Sequence, residues 1–204
     1  MTKTILSALV FVFAAYTTVQ AAGDAGAGEE KSMACQGCHG ADGNSPAGMW
    51  PSLAGQAEKY LVKQINDFKS GARTNETMES MVADLSNQDI ADISAYFASK
   101  KATSSGTHDD EGLIILGKKI YKGGNNDSRL MACAGCHGPN AEGNGPANFP
   151  RLGGQQAEYL LVQLESFSNS SRTNDMAAMM QNIAARMSQK EMEAVAAYLA
   201  TQAH

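Results

Sequence analysis

The sequence predicts an all-α protein made of two tandem helical domains, and three observations carry that prediction. The chain repeats itself: Cys35, Cys38 and His39 recur as Cys133, Cys136 and His137, and "WPSLAGQAEKYL" at 50–61 recurs as "FPRLGGQQAEYL" at 149–160. A repeat of this kind sets the architecture before any local reading does. Within each half the apolar residues fall at helical spacing, and no stretch alternates with the two-residue period of a strand. Both halves also close on the same helix-start signature, Ser86 with Asp89 and Ser188 with Glu191, in which the serine and the acid three residues on cap each other's backbone.

Residues 1–21 come first. Lys3, an apolar run from Ile5 to Tyr16 and the closing Val19-Gln20-Ala21 read as a secretory leader cut after a small residue. The apolar run is too short for a spanning helix, which needs about 20 residues. With no twin arginine, export by the Sec route is expected, with any cofactor acquired outside the cytoplasm. Residues 23–102 form the expected first domain. Its long helix runs from Gly55, with Tyr60, Leu61, Ile65 and Phe68 on one stripe, and stops at Gly71; its last helix carries Ile90, Ile93 and Phe97. The polar stretch 103–112 is the expected linker. Residues 113–204 repeat the scheme, with Tyr159, Leu160, Leu164 and Phe167 on the long helix and Met192, Val195 and Leu199 on the last one.

The 204-residue chain has a formal net charge of −5, and losing Lys3 with the leader makes it more acidic. That excludes a nucleic-acid partner held by phosphate contacts. Units of 80–90 residues bury little apolar surface, and each spends a long Gly-, Asn- and Pro-containing stretch after its motif histidine. Something other than side chains is expected to complete each core.

Cys-x-x-Cys-His admits three chemistries. A dithiol redox pair belongs with a strand-rich thioredoxin-like pattern and does not need the histidine. Structural zinc would have to join cysteine pairs far more widely separated than the usual 15–20 residues. Covalent haem attachment uses every residue of the motif: two thiols on one helical turn add to the porphyrin edge, and the adjoining histidine lies under the iron. Two such motifs in register, consuming all four cysteines, favour two covalently bound haem c groups attached at Cys35, Cys38, Cys133 and Cys136, with His39 and His137 on the metal.

The sixth ligand separates carriers from catalysts, because methionine opposite histidine raises the potential and leaves no open position. Aligning the halves on their last helices pairs Met78 with Met180, the only methionine pair that this alignment produces. Aligning on earlier anchors would pair Met81 with Met180, or Met78 with Met176.

With the two Cys-x-x-Cys-His motifs, the "P-x-L-x-G-Q" runs from Pro51 and Pro150, and a methionine seven residues before Leu85 and before Met187, the sequence resembles the dihaem cytochrome c4 type of tandem class I cytochromes c. The resemblance implies two class I domains, each wrapped around a covalent c-type haem and packed with pseudo-twofold symmetry. It also implies Met78 and Met180 as distal ligands, and the carbonyls of Pro51 and Pro150 as acceptors for the histidine Nδ1 protons. Tyr96 and Tyr198 are expected against the first helix of their domains, and His108 and His204 in solvent. The implied function is that of a periplasmic one-electron carrier and not an enzyme, either soluble or peripherally membrane-associated. Its implied partners are a quinol-cytochrome c reductase and a terminal oxidase. The alternatives are the cytochrome subunit of a flavocytochrome-type dehydrogenase and, less favoured because both irons would be capped, a dihaem peroxidase.

Overall fold

A computed structural model describes residues 22–106 and 110–202. The expected leader, His108 and His204 lie outside those residues. Ten α-helices are present among the described residues: α1 (Ala25–Lys31), α2 (Met33–His39), α3 (Glu58–Ser70), α4 (Glu76–Val82) and α5 (Asn87–Ala98) in the first half, then α6 (Glu111–Gly123), α7 (Ala134–His137), α8 (Ala157–Ser168), α9 (Met179–Ala184) and α10 (Gln189–Ala200) in the second. No described helix is long and apolar enough to cross a membrane. Extended pairing among them is limited to the isolated bridges Asn125–Leu130 and Asn144–Phe149.

Each half closes on its last helix. In α5 and α10 both reciprocal caps form, Ser86 with Asp89 and Ser188 with Glu191. The first helix of each half crosses the last at a glycine. A Cβ on Gly28 would lie 2.0 Å from the Asp92 carbonyl oxygen, and one on Gly117 would lie 1.9 Å from that of Ala194. Only glycine permits this approach, and it brings Tyr96 and Tyr198 over the same two positions. Helices α3 and α8 pack on the other side of α5 and α10.

The two cores are unequal. Ile93, Tyr96 and Phe97 meet Leu61 in the first half, whereas Ile120, Tyr121, Leu130, Leu160, Met192, Val195, Tyr198 and Leu199 form a larger cluster in the second. The first half adds a polar clamp instead. The buried Asp92 carboxylate accepts from the Asp24 backbone N–H at 2.9 Å, from Lys31 Nζ at 2.6 Å and from Gln88 at 2.8 Å. Ala194 stands at the matching position of α10.

The halves are joined by paired contacts that repeat across an approximate twofold. Arg73 donates to Gln64, Tyr159 and Gln163, while Arg172 donates to Gln163, Tyr60 and Gln64. Tyr60 and Tyr159 therefore leave the apolar stripe the sequence assigned them and serve the seam. The connecting chain is pinned to both halves, with Thr103 N–H on Asn44 Oδ1 and Ser105 Oγ–H on the Gln155 carbonyl. Helix α6 begins inside the acidic end of that stretch, where Asp110 accepts from the Leu113 N–H at 3.0 Å.

Candidate functional site

In the first half α2 carries the whole motif, so Cys35 and Cys38 sit three apart on one helical face and His39 closes the turn. In the second half the helix is shorter: Cys133 is its helical-φ/ψ cap, and Cys136 and His137 follow within α7. After each histidine the chain turns at a glycine with φ of +83°, Gly40 and Gly138, a conformation glycine adopts without penalty. A tyrosine hydroxyl then pins the turn from behind, Tyr96 on the Ala41 carbonyl at 2.9 Å and Tyr121 on the Gly138 carbonyl at 2.6 Å. The two tyrosines come from opposite ends of their halves, the last helix and the first.

Both motif histidines are 6% exposed. His39 Nδ1 donates to the Pro51 carbonyl at 2.8 Å and His137 Nδ1 to the Pro150 carbonyl at 2.9 Å. A carbonyl only accepts, so each bond assigns the Nδ1–H tautomer and leaves Nε2 with its lone pair. Burial lowers the pKa of both imidazoles, against the opposing pull of these bonds. The result is a neutral donor with a fixed ring plane. Burial also raises the Cys35 thiol, and lifts Cys133 to about 11. That is the reverse of the lowered pKa a redox-active dithiol carries.

The methionines approach on a separate pair of short helices. Met78 N–H is held by the Asn75 side chain at 3.0 Å at the start of α4. Met180 N–H is held by Asp175 at 2.7 Å at the start of α9. The second half has three extra residues here, absorbed as a 3-10 turn over Met176–Ala178 in which Ala177 and Ala178 are left-handed (φ 53° and 54°). This three-residue difference between the repeats thus lies between Asp175 and Met180. Met78 and Met180 are both half-buried, whereas Met81 is 43% and Met176 62% exposed.

All eight sequence-predicted site residues line one continuous cavity of about 1420 Å³. That exceeds the roughly 300–1,000 Å³ of a pocket for one small molecule. Leu61, Phe68, Val82 and Phe97 face it from the first half, and Leu160, Phe167, Ile183 and Leu199 from the second. Three polar atoms of wall residues are buried without a partner, the donors Ser94 Oγ–H and Arg151 Nη2 and the acceptor Asn148 Oδ1. An apolar-bodied group with carboxylates at one edge answers the apolar walls and the two donors, so the chamber and its donors fit haem. Among the described residues no three His, Cys, Asp or Glu side chains gather into a site for a bare metal ion.

The sequence reading missed the seam. Gln56, Gln155, Gln64, Gln163, Arg73 and Arg172 were visible as polar residues repeated in both halves, yet nothing local distinguishes a duplicated polar residue that joins domains from one that faces water.

Comparison with known proteins agrees with the geometry. The family model described as cytochrome c matches residues 25–101 and 114–203. Cytochrome c4 of Pseudomonas aeruginosa is 47% identical over 180 residues, covering 88% of this chain and 89% of that protein. The crystal structure of reduced recombinant cytochrome c4 from Pseudomonas stutzeri superposes with a TM-score of 0.84 at 44% identity, covering 90% of this chain and all of that one. A thiosulfate dehydrogenase electron acceptor of Thiomonas intermedia is 35% identical, covering 84% of this chain and 80% of that protein.

Proposed function

The chain belongs to the cytochrome c family, as a dihaem electron-transfer protein of the cytochrome c4 type with two covalently bound haem c groups, and from that we propose that it carries single electrons in the periplasm from a quinol-cytochrome c reductase to a terminal oxidase. Residues 1–21 would be the export leader, 23–102 and 113–204 the two haem domains, and 103–112 their linker.

The observation that carries the site assignment is the pairing, on one cavity, of a buried histidine with a free Nε2 and a half-buried methionine in each half. Cys35 and Cys38, and Cys133 and Cys136, would hold the cofactors; His39 with Met78, and His137 with Met180, would ligate their irons. Haem iron supplies a ferric–ferrous couple that moves one electron with no bond made or broken. The chain contributes the rest. Pro51 and Pro150 hold the Nδ1 protons and orient the rings, Met78 and Met180 would leave the iron closed to external ligands, and the apolar walls exclude water. Stopped-flow reduction of the purified holoprotein by a quinol-cytochrome c reductase, followed by oxidation by a terminal oxidase, tests the pathway; no turnover with either partner overturns it.

A second reading, acceptor for a sulfur-compound dehydrogenase, is favoured by the similarity to the Thiomonas protein. Rapid reduction by such a dehydrogenase with its substrate, and none by the quinol enzyme, would select it. The flavocytochrome-subunit alternative predicts co-purification with a flavoprotein.

A further inference from the structure

The proline carbonyls that hold the motif histidines belong to peptide groups whose other end is engaged by the opposite half. His39 Nδ1 donates to Pro51 O at 2.8 Å, and the N–H of that same peptide, on Ser52, donates to Gln155 Oε1 at 2.7 Å. Gln155 Nε2 returns a bond to the Ser52 carbonyl at 2.9 Å. The second half mirrors this. His137 Nδ1 donates to Pro150 O at 2.9 Å, the Arg151 N–H donates to Gln56 Oε1 at 2.8 Å, and Gln56 Nε2 donates to the Arg151 carbonyl at 3.0 Å. Each glutamine oxygen also accepts the next backbone N–H of its own half, Ala57 or Gln156, at 3.0 Å. These bonds set both amide orientations, and the side chains are buried, with Gln56 7% and Gln155 8% exposed.

We propose that Gln155 is a positioning residue for His39 and Gln56 for His137, so that each haem's axial histidine is oriented and made more basic by the other domain. The inference rests on the histidine ligation proposed above. The physical link is the peptide group itself. Donation from its N–H to a glutamine oxygen polarises the amide and makes its carbonyl a stronger acceptor. A stronger acceptor draws on the Nδ1 proton and leaves Nε2 richer in electrons, which favours ferric iron. Losing the glutamine therefore raises the potential of the haem in the opposite domain. Docking of the two domains becomes part of how both potentials are set.

The test uses holoprotein variants Gln155→Met and Gln56→Met, near in size and unable to hydrogen-bond, with each redox step assigned by the hyperfine-shifted NMR signals of the two haems. In Gln155→Met the ferrous-to-ferric ratio of the first-domain haem at fixed ambient potential should rise roughly threefold or more, the weight of about half a net hydrogen bond. The second haem should stay near its wild-type ratio, and the His39 Nδ1 proton should exchange faster with solvent. Gln56→Met should do the reverse. Lys59→Ala, which removes a cross-domain bond to the Pro146 carbonyl outside this relay, should raise neither ratio, its lost positive charge acting slightly the other way. A shift confined to the substituted domain, equal shifts in both, no shift, or the same shifts in Lys59→Ala would overturn the proposal. A variant that loses a haem supports it only if the lost haem is the opposite one. Failure of the underlying ligation would appear separately, as wild-type protein lacking the hyperfine-shifted signals of axial histidine.

Discussion

Arg73 of the first half donates to the Tyr159 hydroxyl of the second at 2.9 Å, and its repeat mate Arg172 donates to the Tyr60 hydroxyl at 3.2 Å. Among the described residues neither guanidinium hydrogen-bonds a carboxylate. Arg172, 8% exposed, is held by neutral oxygens and stacks over Phe167 at 4.5 Å, as Arg73 does over Phe68 at 4.6 Å. Arg172→Leu would take the guanidinium from Tyr60 and Asn174 Oδ1, while Gln64 and Gln163 keep Arg73, and should cost about 2–3 kcal/mol, the usual range for losing hydrogen bonds to a buried charge. A lowered urea midpoint checks it; an unchanged one would show that the seam adds nothing to stability.

Cys35→Ala should leave the protein with one stably attached haem, in the second domain, and Cys133→Ala should leave one in the first. Intact mass under denaturing conditions reads this directly. Two haems remaining on either variant would defeat the assignment of one motif to one cofactor.

Carbon monoxide reports on the sixth position. The reduced wild type should bind almost none, while Met78→Ala and Met180→Ala should each open one iron and bind one equivalent. Met81→Ala is the control: should it open the first haem in place of Met78→Ala, the ligand assignment in that half is wrong.

The clamp beneath α5 makes the first half acid-sensitive. The Asp24 N–H, Lys31 and Gln88 hold the Asp92 carboxylate down to about 2. A depressed carboxylate contributes stability that is complete above its unfolded value near 4 and is lost as pH falls through the folded one. Asp92→Asn should therefore lower the denaturation midpoint at pH 7, and the gap to wild type should narrow below about pH 4. A gap that stays constant down to pH 2 would remove the charge from the explanation.

The second-domain haem should have the higher potential. Residues 23–102 hold 7 basic and 11 acidic side chains, a net −4, and residues 113–204 hold 8 and 7, a net +1. Ferric haem carries the extra positive charge, so the acidic half favours oxidation. With screening over about 8 Å, the separation should be tens of millivolts, against about 59 mV for a tenfold ratio. Spectroelectrochemistry with domain-assigned signals decides the order, and a first-domain haem that reduces first sinks the charge argument.

The sequence by itself determined the duplication, the helical class, the two capping boxes and the cofactor chemistry. All of these rest on local rules: the spacing of Cys-x-x-Cys-His on one turn, the reciprocity of Ser86 with Asp89, and the period of Leu61, Ile65 and Phe68. The tertiary structure decided three things. It located the three-residue length difference in the left-handed turn at Ala177 and Ala178, where a loop absorbs extra chain without disturbing a packed helix. It gave the tyrosine behind the motif to the last helix in one half and the first in the other, since a hydroxyl needs only to reach the carbonyl at the turn. It also turned the repeated Gln56, Gln155, Arg73 and Arg172 into the seam. A long polar side chain looks the same in sequence whether it meets water or a partner domain, and only the docking of the halves removes the water and makes each bond specific.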